Sequence, residues 1–241
     1  MGWLSKFLNS NIGLKVLMAL SGMMMLGFVV VHMTGNLQVF LGAHALDRYG
    51  SFLQNIGELL WVARLGLVSA LTIHVLSATI LTLRSWGARP VAYRSKYWFA
   101  PSLLSRTMLY GGVAIGLFLV LHLLHLSPSI FGLDHGIAAI TPGYEHCKTV
   151  GDGLSASLEC GVYANVVHGF SVVWVSALYI VAMIFLGMHI GHGAWSMFRT
   201  LGLDNPRYDR LAQGAAVSIG ALVAVGNSLI PISVLVGLVH L

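Results

Sequence analysis

Five long stretches of the sequence carry no Asp, Glu, Lys or Arg, and this feature limits the possible folds most strongly. They run over residues 16–46, 65–83, 107–133, 160–198 and 211–241. A membrane-spanning helix needs about 20 mainly apolar residues, because each residue rises about 1.5 Å through about 30 Å of hydrocarbon. Each stretch can hold one such helix, so the sequence predicts an all-α integral membrane protein with five transmembrane helices.

The composition excludes several other classes of protein. Apolar residues make up 57% of the chain and charged residues 9%, against roughly 25% charged residues in a soluble domain. Such a chain is neither a disordered segment nor an ordinary soluble enzyme, and its net charge of +5 is no signal of nucleic-acid binding. We predict a single membrane domain over residues 1–241. Its spans are expected at roughly 14–32, 61–83, 106–126, 162–192 and 213–239.

The basic residues predict the orientation of the chain. With the N-terminus inside, ten of the 13 Lys and Arg residues fall in inner segments, and only Arg48, Arg64 and Lys148 fall outside. Inner loops of membrane proteins carry such an excess. We therefore expect a cytoplasmic N-terminus, an external C-terminus and a multi-pass protein of the cytoplasmic (inner) membrane.

The two cysteines, Cys147 and Cys160, both lie in the third outward-facing connection. That compartment is oxidising in a bacterium, so a disulfide could close this loop. Two free thiols are the alternative, and in neither case do we expect the pair to take part in chemistry.

Seven of the 11 histidines lie in or beside the spans, where a polar ring needs a partner. They are His32, His74, His122, His125, His168, His189 and His192. The depth of each histidine can be counted from the nearest basic residue at the inner end of its span. His32 and His122 lie 17 and 16 residues from that basic residue, and His74 and His189 each lie 10 residues from it. At about 1.5 Å per residue these depths are about 25 Å and about 15 Å. Four helices thus supply two histidine pairs, each matched in depth.

Two imidazoles that face each other across a helical bundle can be the axial ligands of a haem iron. The pattern favours two such haems over zinc, which needs three or four converging ligands, and over a proton relay, which needs carboxylates inside the membrane. His125 follows His122, and His192 follows His189, by three residues on the same helix face, so either could be the true ligand. His168 could be a hydrogen-bond partner, a quinone contact or a bystander.

Small residues recur at helical spacing and predict close helix packing. Gly187 and Gly191 form one such pair, and a ridge follows on the fifth span at Ala216, Gly220, Ala224 and Ser228. The glycine pair flanks His189, where a flat cofactor would also need a helix surface without side chains.

The segments around these histidines resemble a known family, the cytochrome b membrane anchors of succinate dehydrogenases and fumarate reductases. The resemblance is to the single-chain, five-helix type that holds two haems b. It covers nearly the whole chain. Its segments are 15–22 leading into 32–37, 60–64 leading to His74, 105–108 leading to His122, and 187–196 followed by 201–202.

The resemblance implies a ligand set and partners. It pairs His32 with His122 on an outer haem and His74 with His189 on an inner haem. It also implies a flavoprotein that oxidises succinate and an iron–sulfur protein, both on the cytoplasmic side, and electron transfer through the two haems to a quinone, usually menaquinone. The sequence has no flavin motif and no cysteine cluster, so no residue of this chain is assigned to the succinate chemistry.

Charged residues at the helix ends are further candidates. Glu58 is the one carboxylate just ahead of the second span and could relay a proton to a quinone, although a solvated loop acid is the alternative. Arg64 at the outer end, and Arg84, Arg106 and Arg199 at the inner end, could pair with haem propionates as well as anchor the topology.

Two other functions remain open at this point. The cytochrome b anchor of a hydrogenase or a formate dehydrogenase would also bind two haems. A transporter or channel without redox cofactors would be expected to show internal repeats and paired broken helices. The sequence has no inverted repeat, and only the fifth span holds a mid-helix proline, Pro231.

Overall fold

The computed structural model describes residues 2–88, 107–126, 148–150, 157–159, 161–203 and 205–241, so Arg106, Cys147 and Cys160 lie outside the described residues. The helices are α1 (Trp3–Leu8), α2 (Asn11–Asn36), α3 (Ala43–Asn55), α4 (Glu58–Gly87), α5 (Met108–Leu126), α6 (Val162–Ser171), α7 (Val173–Thr200) and α8 (Asp209–Leu235). A 3-10 helix, Leu37–Leu41, continues α2. Strands β1 (Lys148–Val150) and β2 (Ser157–Glu159) form an antiparallel pair.

Five of these helical segments are long and apolar enough to cross a membrane: α2 with its 3-10 extension, α4, α5, α7 and α8. This finding confirms the helical class and the five predicted spans. Large apolar side chains along α2 and α4, such as Phe28 and Leu65, are exposed to the surroundings. Such a surface suits lipid, because hydrocarbon is as apolar as these side chains.

Residues 33–60, which connect the first two predicted spans, are largely helical. The side chain of Ser10 accepts the Gly13 N–H at 2.9 Å and so caps the start of α2. At the other end Gly42, with φ +94°, turns the chain from the 3-10 helix into α3. A Cβ added to Gly35 would lie 2.5 Å from Cε1 of the Tyr49 ring on α3. The glycine therefore lets α3 pack closely on the end of α2.

The fourth span was predicted as one helix over 162–192, but the structure divides it at Val172 and extends it to Thr200. Val172 has an extended backbone, with φ −81° and ψ 106°. Buried backbone oxygens in a membrane protein need a partner when a helix is interrupted. The fully buried Ser176 supplies one, because its hydroxyl donates to the carbonyl oxygen of Phe170 at 2.6 Å.

Helix α7 lies at the centre of the bundle. It packs most extensively on α8, and also on α5 and α2, while α2 packs on α4. The order of contacts is therefore α4, α2, α7, α5, and α4 and α5 at its two ends do not pack extensively on each other. The two diagonals of this arrangement, α2 to α5 and α4 to α7, have little direct backbone contact.

Candidate functional site

The four predicted ligands meet in two pairs, and each pair spans one diagonal of the bundle. The ring centroids of His32 on α2 and His122 on α5 are 5.8 Å apart. Those of His74 on α4 and His189 on α7 are 6.2 Å apart. The structure thus brings together the pairs that depth alone suggested, on helices that are not packing neighbours.

We call His74 and His189 the inner pair, and His32 and His122 the outer pair, after the orientation that the sequence predicts. The inner pair is held in place from α2. The Nδ1–H of His74 donates to the carbonyl oxygen of Met18 at 3.1 Å and lies 3.4 Å from the hydroxyl oxygen of Ser21. A Cβ on Gly22 would lie 3.3 Å from Cε1 of His74, so the glycine makes room for the ring. Since Nδ1 is engaged in this way, Nε2 is the nitrogen of His74 left to bind a metal.

His189, the other member of the inner pair, has a buried Nδ1 atom without a hydrogen-bond partner among the described residues. It lies against Gly112 of α5, where a Cβ would be 3.7 Å from its Cε1. A buried polar atom without a partner is costly, and among the described residues Nε2 of His125 shares this property. Each of these nitrogens therefore leaves room for a hydrogen-bonding group or a ligand beyond the described residues.

The outer pair is held by polar side chains. Nδ1 of His122 lies 3.3 Å from the hydroxyl oxygen of Tyr179 on α7, so its Nε2 is again the nitrogen left for a metal. Nε2 of His32 accepts the side-chain N–H of Asn36 at 3.0 Å. Metal binding through this nitrogen therefore requires the Asn36 amide to move away.

The two pairs lie at different levels of the bundle. The inner pair lies beside Ser21 of α2 and Gly112 of α5, and His32 and His122 follow those residues by 11 and ten positions. Both helices therefore give a separation of about 15 Å. Counting from the basic residues in the sequence gave a separation of about 10 Å, because that count placed all the basic residues at one height in the membrane. Lys15 lies inside α2, whereas Arg84 lies in the last turn of α4.

Each pair has the separation expected for two imidazoles on opposite sides of one metal ion. With a metal–nitrogen bond of about 2 Å and about 1.1 Å from nitrogen to ring centre, the two centroids would be about 6 Å apart. The angle between the ring planes, 85° in one pair and 60° in the other, would not prevent both rings from holding one metal. The donor set of two histidines and no carboxylate fits a haem iron. No cluster of three or more His, Cys, Asp or Glu side chains forms within the described ranges.

The neighbouring histidines take other positions. His125 is buried, with Nδ1 2.9 Å from the Tyr179 hydroxyl and its ring beside Phe170. His192 lies against Trp195, 6.1 Å between centroids. His168 is half-buried on α6.

The charged candidates lie at the ends of the bundle. Glu58 is exposed in the first turn of α4, and the guanidinium of Arg64 lies 5.1 Å above the Trp61 ring. Arg84 donates to the backbone oxygen of Asn9 at 2.8 Å and to the side-chain oxygen of Asn11 at 2.9 Å. This arginine therefore joins the end of α4 to the start of α2.

The end of α7 and the start of α8 meet through a second polar cluster. Arg199 lies 5.1 Å above the Trp195 ring, and the indole N–H of Trp195 donates to Asp209 at 3.0 Å. The contact ties the end of α7 to the first turn of α8.

Gly187 and Gly191 do not border the histidine pair. A Cβ on Gly187 would lie 2.7 Å from the carbonyl oxygen of Gly220, and one on Gly191 would lie 3.5 Å from Cα of Val217. Both glycines therefore face α8, and the expectation that they make room for a flat cofactor is wrong. Among the described residues, Gly22 makes room for the His74 ring, and Gly112 lies at ordinary contact distance from the His189 ring.

Sequence reasoning missed Tyr179, Ser21 and Asn36, whose polar side chains contact the histidine pairs. Tyr179 gave a usable signal, because a phenol inside an apolar run must find a hydrogen-bond partner. Ser21 and Asn36 gave none, since serine and asparagine also satisfy themselves locally on helices.

Comparisons of the chain with protein-family models, with curated proteins and with solved structures each give no match.

Proposed function

We propose that this chain is the cytochrome b membrane anchor of a succinate:quinone oxidoreductase, a succinate dehydrogenase or fumarate reductase, and that it holds two haems b. The observation that carries the proposal is the meeting of four histidines from four helices as two diagonal pairs about 15 Å apart. The resemblance of the segments around them supplies the type of complex.

In this proposal His32 and His122 hold the outer haem, and His74 and His189 hold the inner one. A haem iron with two imidazole ligands supplies reversible one-electron transfer when bound. The protein orients the ligands, through the Met18 carbonyl at His74 and the Tyr179 hydroxyl at His122. The apolar side chains of the five spans keep water from both levels.

The partners follow from the same proposal. A flavoprotein and an iron–sulfur protein bind on the cytoplasmic side, nearer to His74 and His189, and the substrate reduced in the membrane is a quinone, menaquinone in the type of complex that the chain resembles. Glu58 is exposed at the start of α4, and such a carboxylate can pass protons to a quinone near the outer pair. His168 is the second candidate contact for the quinone.

Haem stoichiometry tests the proposal directly. The purified complex should contain two haems b per chain by pyridine haemochrome, and the alanine variants of His32, His74, His122 and His189 should each lose at least one. His44→Ala is the matched control, because this histidine is exposed on α3, and it should retain both haems. One haem or none in the unaltered chain contradicts the proposal.

Two further outcomes separate the competing functions. Co-purification with a succinate-oxidising flavoprotein supports the proposal, whereas co-purification with a hydrogenase or formate dehydrogenase subunit contradicts it. A colourless purified protein indicates a transporter. If His125→Ala loses a haem while His122→Ala retains both, the ligand on α5 is His125.

A further inference from the structure

A buried tyrosine links two histidines beside the outer pair. Tyr179 is 6% exposed, and its hydroxyl oxygen lies 3.3 Å from Nδ1 of His122 and 2.9 Å from Nδ1 of His125. The rings of Phe118 and Phe170 pack edge-to-face on it, with centroids 4.9 and 4.8 Å away. The phenol is thus fixed between the two imidazoles.

The direction of these hydrogen bonds follows from the number of protons available. A tyrosine hydroxyl has one proton to donate and can accept from a second group. If Nε2 of His122 binds iron, its Nδ1 carries the proton and must donate, so Tyr179 accepts from His122 and donates to Nδ1 of His125. The buried Nε2 of His125 then carries a proton, and it has no partner among the described residues.

We propose that Tyr179 is the positioning residue of His122, and that the His122–Tyr179–His125 chain lowers the reduction potential of the outer haem. The inference rests on the proposed function, because it concerns a ligand of that haem. It identifies two side chains that act through His122 rather than on the iron.

The physical reason is the basicity of the ligand. An acceptor at Nδ1–H makes an imidazole a stronger electron donor to its metal, which favours the ferric over the ferrous state. His125 strengthens the effect, because a hydroxyl that donates a hydrogen bond becomes a better acceptor. At the inner level the acceptor is the Met18 carbonyl, which no side-chain substitution removes.

Redox titration of the purified complex, with Tyr179→Phe beside the unaltered protein, tests this inference. We expect the variant to retain both haems. At a fixed potential the ferrous-to-ferric ratio of the outer haem should rise about three- to tenfold, which corresponds to the free energy of one hydrogen bond. At 59 mV per tenfold this is an upward shift of about 30–60 mV. The low-temperature EPR signal of the same haem should move, while that of the other haem stays in place.

Tyr163→Phe is the matched control. The hydroxyl of Tyr163 donates to the backbone oxygen of His240 at 3.0 Å, so the variant loses one hydrogen bond and touches neither histidine pair. Its two potentials should equal those of the unaltered protein.

Substitution of His125 gives a second test that does not depend on the folding of Tyr179→Phe. His125→Phe should keep both haems and raise the same potential by less, and His125→Gln, whose amide oxygen can accept from Tyr179, should restore it. In the Tyr179→Phe background His125→Phe should have no further effect, because it acts only through the phenol.

The possible failures are distinguishable. A chain without haem refutes the proposed function. Two haems with unchanged potentials in Tyr179→Phe and His125→Phe, or equal shifts of both haems, refute this inference alone. Loss of a haem in His125→Phe overturns it as well, because His125 is then a ligand.

Discussion

Replacing Gly220 with alanine should separate α7 from α8, the most extensive helix contact in the bundle. An added Cβ would overlap the carbonyl oxygen of Gly187 and lie 3.0 Å from the nitrogen and 3.2 Å from Cα of Gly191. All three are backbone atoms, which cannot rotate away as the end of a side chain can. Unstrained carbon contacts are about 3.5–4.0 Å, so α8 must withdraw by roughly 0.5–1 Å.

The size of the effect follows from that distance. A gap of about 0.5–1 Å forfeits about a quarter to a half of the dispersion energy between the facing atoms. In lipid no hydrophobic effect holds the two helices together, so packing carries their association. The overlap should cost about 1–3 kcal/mol, and alanine regains up to about 1 kcal/mol over glycine in helix propensity. We therefore expect Gly220→Ala to lower the free energy of unfolding by up to about 2 kcal/mol.

The assay is unfolding by sodium dodecyl sulfate in mixed micelles, followed by far-ultraviolet circular dichroism. Gly214→Ala is the control, because it makes the same change on the same helix where a Cβ would meet nothing within 4 Å. The control should equal or slightly exceed the unaltered protein in stability, since alanine favours a helix by about 1 kcal/mol over glycine. Equal midpoints for the two variants would refute the close approach of α7 and α8 at Gly220.

Two other substitutions test the break in the fourth span and the outer connection in the same unfolding assay. Ser176→Ala leaves the Phe170 carbonyl without the hydroxyl that donates to it and should cost about 1–3 kcal/mol; an unchanged midpoint would show that another group satisfies this carbonyl. Asp47 accepts the backbone N–H of Tyr163 at 2.8 Å, at the start of α6. Asp47→Ala should therefore cost about 0.5–2 kcal/mol, and Asp47→Asn, which keeps an acceptor, should cost less; equal losses would point to charge rather than capping.

The spans were predictable because the cost of burying charge in hydrocarbon acts on each segment separately. The five uncharged stretches are confirmed as five long apolar helices, although their ends differ by several residues. The break at Val172 was not predicted, although Gly169 and Ser171 stand just before it. Its stability depends on Ser176, six residues beyond Phe170, whose hydroxyl donates to the freed carbonyl. The haem ligation, the orientation and the partner proteins stay predictions.

The candidate site, like the fold, was predictable only in part. Helical rise is fixed at about 1.5 Å per residue, so counting along four helices identified which histidines share a level. Counting left two alternatives open: His125 for His122, and His192 for His189. The structure brings His122 to His32 and His189 to His74, while His125 bonds Tyr179 and His192 lies against Trp195.

The sequence by itself determined that this protein spans a membrane five times and carries histidines at two depths, because both properties depend on residue type and spacing along single helices. Only the tertiary structure decided that Gly187 faces α8, that Gly22 makes room for the His74 ring, and that Tyr179 joins two histidines. These contacts depend on the rotation of each helix about its axis. That rotation is set by the packing of neighbouring helices, on which the apolar pattern of one span in lipid carries little information.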